Sequence, residues 1–327
     1  MTAKVVGPDD LGRPRWRLVT GDPRGVLRVV GGLLVLAVGL AGAPAEPGAP
    51  AQGADGALDS ALVAAPDSTG VGTGVAALGD SGVAGPPYVP EEVPHPRPFQ
   101  VGERLKFSIQ YGPIKAGTST LEVEAVENVG DHECYRFVSA TQSSSVFSTF
   151  YKVKDKIVSL ADVRYLLTRR TSKTLREGGY KLDQEIEWNQ EENRLRYKNG
   201  DDLELPAGAR DVLAAMYYTR TLPLKVGDEF RMPTHDNKKS YPIVIEVQGE
   251  DKVETPLGKF DCWVVEPKLE TPGLFNRTGS LKVWLTKDAD RVPVLMQSEV
   301  KVGAISAVLV ERERGSGGPD PARPGVE

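Results

Sequence analysis

Across residues 99–314 the apolar side chains recur at every second position, a period that suits extended strands and not helices. Leu105, Phe107, Ile109 and Tyr111 alternate with Lys106, Ser108 and Gln110. After a turn over residues 112–117, bracketed by Gly112 and Gly117, Leu121, Val123 and Ala125 alternate with Glu122 and Glu124. This spells a hairpin with one face in water. Leu182, Ile186 and Trp188 alternate with Asp183, Glu185 and Glu187, and Leu195 and Tyr197 with Arg194, Arg196 and Lys198, which sets an acidic strand opposite a basic one. Further strands are expected over residues 243–247, 262–265, 281–285, 294–302 and 305–310, the last two joined by a turn at Gly303. Short strands in quick succession form antiparallel meanders, and sheets this apolar on one face must curl or pack to cover it.

One stretch breaks the period. Pro206 and Gly208 interrupt the preceding strand, Asp211 offers a carboxylate to the unpaired amides of a helix start, Arg220 falls in the last turn and Pro223 stops the run. Between them Val212, Leu213, Ala214, Ala215, Met216, Tyr217 and Tyr218 leave almost no polar face, so the helix should be enclosed by other structure. Met216, Tyr217 and Tyr218 then either line a cavity or are plain core. Asp211 and Arg220 stand at opposite ends of the helix, do not pair with each other, and are read as structural.

The segments on either side of this helix share landmarks. Residues 101–105 (Val-Gly-Glu-Arg-Leu) correspond to 226–230 (Val-Gly-Asp-Glu-Phe), Cys134-Tyr135 to Cys262-Trp263, and Val146-Phe147 before Lys152-Val153 to Leu274-Phe275 before Lys282-Val283. Three landmarks in the same order suggest an internal duplication. The expected architecture is mainly β: two curved, antiparallel, half-barrel-like sheets from that duplication, over residues 99–205 and 224–314, joined by one buried central helix over residues 206–223.

Arg13, Arg15, Arg17, Arg24 and Arg28 precede an apolar run over residues 29–40, followed by Ala41-Gly42-Ala43 and Pro44. Basic region, short apolar run and small residues together describe a secretory signal peptide over residues 1–43, with retention as an N-terminal anchor the alternative. The run is shorter than the roughly 18 residues of a membrane-spanning helix. Residues 44–98 are Ala, Gly, Pro, Ser and Asp with hardly an aromatic, and 315–327 read the same way. Such a composition buries too little to offset the entropy of ordering it, so both are expected to be disordered. The chain is thus expected to be exported and periplasmic, with no transmembrane segment in its mature part. Cys134 and Cys262 are the only cysteines, and in an oxidising compartment they either form a disulfide or remain buried thiols.

Little here points to catalysis. His95, His132 and His235 are the only histidines; there is no HExxH, no Cys/His cluster, no GxSxG elbow and no glycine-rich phosphate loop, so neither metal nor cofactor is expected. A net charge of −5 without a basic, aromatic-laced face argues against nucleic acid. Asp288 and Arg291, in a strand-to-strand turn, are read as structural: the aspartate bonds its own backbone and the arginine pairs locally. The most suggestive features are the loops over residues 143–151 and 271–278, where Phe147 and Phe275 sit in polar surroundings at corresponding points of the two halves.

Residues 101–105 with 111–117, then 210–220, 258–262, 279–284 and 288–294, resemble a bacterial family of exported proteins known as domain of unknown function 3108, across residues 99–312. The resemblance implies export and a mostly β fold, and supplies no reaction or catalytic residue. The expected function is non-enzymatic: binding of an amphipathic, lipid-like ligand or a partner protein of the envelope through Phe147, Phe275, Met216, Tyr217 and Tyr218, with membrane contact compatible. A structural adaptor binding partners by its edge strands is the alternative, and a glycan-acting hydrolase, marked by a cleft with two facing carboxylates of shifted titration, a third.

Overall fold

The computed structural model describes residues 2–8, 14–19, 90–149, 151–269, 280–299 and 304–316. Strands β1 (Thr2–Pro8) and β2 (Pro14–Val19) pair with each other as an antiparallel ribbon. The folded body is a single sheet. Its first half holds β3 (Arg104–Tyr111), β4 (Ile114–Val129), β5 (His132–Ser143), β6 (Lys154–Asp162), β7 (Thr168–Glu177), β8 (Tyr180–Asn189), β9 (Arg194–Tyr197) and β10 (Asp202–Glu204), with a one-turn helix α1 (Ser145–Ser148) between β5 and β6. Helix α2 (Val212–Thr219) leads to β11 (Glu229–Asp236), β12 (Lys239–Thr255), β13 (Gly258–Leu269), β14 (Leu281–Thr286), β15 (Pro293–Glu299) and β16 (Ala304–Glu313).

These fourteen strands lie in the order β10-β9-β8-β7-β6-β5-β4-β3-β16-β15-β14-β13-β12-β11, each antiparallel to its neighbours. The expectation of two sheets is therefore corrected. The halves fuse edge to edge through β3 and β16, with Ser108 opposite Val308 and Lys106 bridging to Glu311 at 2.6 Å. A strand left at the rim of a half-barrel exposes unpaired amides and carbonyls, and joining the two rims satisfies both rows at once.

No ladder joins β10 to β11, so the sheet is open. Its two flanks are nevertheless stitched together. The Arg210 amide donates to the Pro233 carbonyl and the His235 amide to the Arg210 carbonyl, each at 3.1 Å. Tyr197 Oη and His235 Nε2 are hydrogen-bonded at 2.7 Å, and Lys173 pairs with Asp236 and Lys238 with Asp201.

Some backbone features recur on both sides of α2. Gly102 (φ 88°) and Gly227 (φ 90°) both take the left-handed conformation ahead of the first strand. The Gly102 amide donates to Val123 and the Val123 amide to Glu103; Gly227 does so to Val247 and Val247 to Asp228. A register shift follows each of these valines. Leu166 and Arg291, both with positive φ although neither is glycine, end the matching turns after β6 and β14.

Three sequence readings change in detail. The helix is shorter than residues 206–223, running from Val212 to Thr219 with Asp211 as its N-cap and Arg220 as its C-cap. Gly112 (φ 54°) makes the β3–β4 turn, but Gly117 belongs to β4, where an added Cβ would stand 2.3 Å from the Gln142 carbonyl oxygen. Cys134 and Cys262 form no disulfide. They are free, buried thiols on β5 and β13, strands separated by five others in the sheet. Burial pushes their titration up, to about 12 and about 11.

Candidate functional site

Because neighbouring strands are antiparallel, the connections fall alternately at two ends of the sheet. One end carries α2 and the turns β4–β5, β6–β7, β8–β9, β12–β13 and β14–β15; the other carries β3–β4, the α1 loop, β7–β8, β9–β10, β11–β12, β13–β14 and β15–β16. The two ends differ chemically.

The α2 end is filled. Tyr217 is wholly buried, stacks on Phe137 with ring centroids 3.9 Å apart, and meets Phe99 edge-on at 5.1 Å. Tyr135 completes the group by stacking on Phe137 at 5.7 Å. Packing of this kind leaves Tyr217 facing other rings, and its hydroxyl has no hydrogen-bond partner among the described residues. Tyr218 lies half-buried beneath the Arg210 guanidinium, 3.7 Å from its ring centroid, and Met216 is half-buried against the same core. None of the three is brought to Phe147, which belongs to the opposite end. Of the two readings of the helix, cavity lining and plain core, the ring contacts of Tyr217 are those of core.

Two polar clusters fix this helix. Asp211 Oδ1 accepts from the Leu213 and Ala214 amides at 2.8 and 3.2 Å, while Oδ2 accepts from the Ser159 and Thr168 hydroxyls. Burial raises the titration of this carboxyl, against the pull of those donors. Arg220 donates to both carboxylate oxygens of Glu103 (2.6 and 2.9 Å), to the Pro98 carbonyl at 2.8 Å and to the Asp290 carbonyl at 2.9 Å. One guanidinium thus ties the helix to the entry of the first half and to the β14–β15 turn of the second. In that turn Asp288 Oδ1 accepts from the Asp290 and Arg291 amides, both at 3.2 Å, but Arg291 does not pair locally as expected. Its guanidinium donates to the Leu222 carbonyl beyond α2.

At the opposite end the serine-rich loop is folded. Ser144 caps α1 by accepting from the Phe147 amide at 3.2 Å, and Ser143 Oγ accepts from the Val153 amide at 2.9 Å. Phe147 is half-buried against the core, whereas its neighbour Val146 is 74% exposed. Phe275 lies outside the described residues, although β13 ends and β14 begins at this same end.

Beneath this rim lies a feature absent from the sequence reading. Asp155 on β6 and Glu177 on β7 are both buried and act on each other's titration, an arrangement that favours one proton held between them. Burial and the adjacent Asp155 push Glu177 up to about 8, and burial raises Asp155 as well. Period two contained the signal: Asp155 shares its face with Ile157, and Glu177 shares its face with Leu175. Nearby, His235 is hydrogen-bonded to Tyr197 and Ser240, and burial lowers its titration to about 4, which keeps the ring neutral. Among the described residues no three His, Cys, Asp or Glu side chains gather as metal ligands.

The Glu177 proton predicts a pH dependence. A carboxyl whose folded value exceeds its unfolded value of about 4.3 costs stability as pH rises from there to about 8, by up to ~1.4 kcal/mol per pH unit. His235 works in the opposite sense: its depressed value makes stability rise with pH from about 4 to about 6.5. Above that the histidine no longer opposes the glutamate slope. Urea midpoints are therefore expected to fall more steeply between pH 6.5 and 8 in the natural chain than in Glu177→Gln; equal slopes in both would contradict the buried proton.

A model of the family described as "Protein of unknown function (DUF3108)" matches residues 106–310. Among curated proteins none matches the chain. Solved structures similar to it include a β-barrel-like protein of domain of unknown function DUF1849 from Brucella abortus, at 10% identity and a TM-score of 0.46, covering 66% of this chain and 98% of that one. A Bacteroides fragilis protein described as exported, with a YmcC-like fold, gives 14% identity and a TM-score of 0.32, covering 67% and 98%. A Parabacteroides distasonis protein described as a lipoprotein gives 13% and 0.30, covering 66% and 97%.

Proposed function

The chain belongs to the DUF3108 family, and from that premise we propose that it is a non-enzymatic, exported protein of the periplasm that binds an amphipathic, lipid-like ligand or the apolar segment of an envelope partner. The observation that carries this reading is the α1 rim, where Val146 stands 74% exposed beside a half-buried Phe147 on a loop held in shape by serine hydrogen bonds. An apolar side chain held in water by an ordered loop contributes nothing to folding and is available to a ligand. The paired turns and matched backbone bonds support descent from a duplicated β unit, and that symmetry supports a second contact point at Phe275. Replacing Phe147 and Phe275 together by serine is expected to abolish uptake of a soluble fluorescent lipid while the circular dichroism stays unchanged. Full uptake by the folded double variant would remove the proposal.

A second reading draws on Asp155 and Glu177, two facing carboxyls of shifted titration such as a glycan hydrolase would use. Their burial disfavours it, because a glycosidase pair must stand open to the sugar between them. Edge-strand adaptor binding is disfavoured too: β10 is three residues long and carries Asp202 and Glu204, which blunts that edge.

A further inference from the structure

We infer that the α1 end of the sheet is a docking face for an anionic lipid bilayer. The inference shares its location with the ligand-binding reading but rests on a different observation, the distribution of charge.

Lys115, Lys152, Lys154, Lys181 and Lys239 are exposed, and each lies within two residues of a turn at this end. None of the five makes an ion pair among the described residues. Lysines at the other end pair instead, Lys106 with Glu311, Lys252 with Asp261, Lys259 with Glu254 and Lys287 with Glu250, whereas at this end Lys198 and Lys268 are answered by Glu185 and Glu246 and the five are not. The carboxylates that could have answered the five are occupied or buried. Asp183 is held by Arg176, Asp201 by Lys238 and Asp236 by Lys173, and Asp155 and Glu177 are buried; Glu299 is the exposed exception. The opposite end carries charges of both signs, with Asp131, Glu133, Glu191, Glu192, Glu254 and Asp288 exposed on or beside its turns and ion pairs joining Glu191 to Arg169, Glu192 to Arg196 and Glu254 to Lys259.

Set among the unpaired lysines are Ile114, Val146 and Tyr180, which are 55%, 74% and 37% exposed and each project from a connection at this end. Unpaired ammonium groups ringing apolar and aromatic tips match the two layers of a lipid surface. The tips enter the headgroup region while the lysines meet phosphates, each contributing about fivefold to affinity near an anionic surface. A nucleic acid would satisfy the lysines but not the aliphatic tips, and an apolar protein groove the tips but not the lysines. The anionic bilayer satisfies both.

The test is co-sedimentation of the full chain with vesicles of phosphatidylglycerol and phosphatidylcholine, against vesicles of phosphatidylcholine alone. Binding that comes from the apolar run over residues 29–40 and from the arginines before it is common to every variant, so the change between the natural chain and its variants reports the docking face. Stronger binding to the anionic vesicles is expected, weakened about a hundredfold by Lys115→Gln, Lys152→Gln and Lys181→Gln together and suppressed by raised salt. Val146→Ser is expected to weaken binding to the same vesicles without changing its dependence on salt. Equal binding to both vesicle types, or an anionic preference undiminished in the triple lysine variant, would overturn the inference. Loss of soluble-lipid uptake in the serine variants of Phe147 and Phe275 with vesicle binding intact, or the reverse outcome, separates this face from the ligand site.

Discussion

Replacing Arg220 by methionine is expected to destabilise the protein by about 3–5 kcal/mol, the usual cost of stranding one member of a buried ion pair. Glu103, only 3% exposed, would keep its charge with its strongest partner gone. Burial alone would drive the guanidinium toward losing its proton, but the two carboxylate bonds outweigh this and hold its titration above the ordinary value. The carbonyls of Pro98 and Asp290 would lose a donor in the same step, loosening the first half and the second together. The double variant Arg220→Met, Glu103→Leu should recover a substantial part of the loss, since apolar residues of similar volume often replace a buried pair at little cost. Urea denaturation of the three variants checks this, and a single variant as stable as the natural chain would show the cluster to be incidental.

Tyr217 offers the second large effect and separates packing from ligand lining. Tyr217→Ala removes a ring in contact with Phe99 and Phe137 and is expected to cost about 3–5 kcal/mol through the cavity left behind. Tyr217→Phe should cost nothing and gain up to about 1 kcal/mol, because it deletes a buried hydroxyl without a partner. If the hydroxyl instead served a bound lipid headgroup, the phenylalanine variant would bind the fluorescent lipid more weakly at unchanged stability. Measuring both quantities on the two variants decides between the roles.

These residues also show how far the chain could be read in advance. Alternation at Leu105 to Tyr111, or of Glu187 opposite Arg196, is a local pattern, and each became a strand with its neighbour in the chain beside it. The β3–β16 seam is not local: no pattern within Phe107 or Leu309 says that they will lie opposite one another, so a single sheet looked like two. The cysteines left two readings open, and the buried thiol is the one observed, since five strands stand between β5 and β13. Asp155 and Glu177 escaped because charged residues on β strands are usually solvated, and only the curl of the sheet put this pair inside. The docking lysines were invisible individually; they became a face once strand parity sorted the turns into two ends.

The seam carries a consequence for how the protein comes into being. β16, the last strand of the sheet in chain order, occupies a middle place between β3 and β15, so everything synthesised earlier waits with two raw flanks for a final zipper tooth. Contacts that join such distant parts of a chain form slowly. A product cut short before Ala304 would keep the contacts made through Arg210 and Arg220 but leave the facing rims of β3 and β15 bare, so this architecture favours chains that arrive whole.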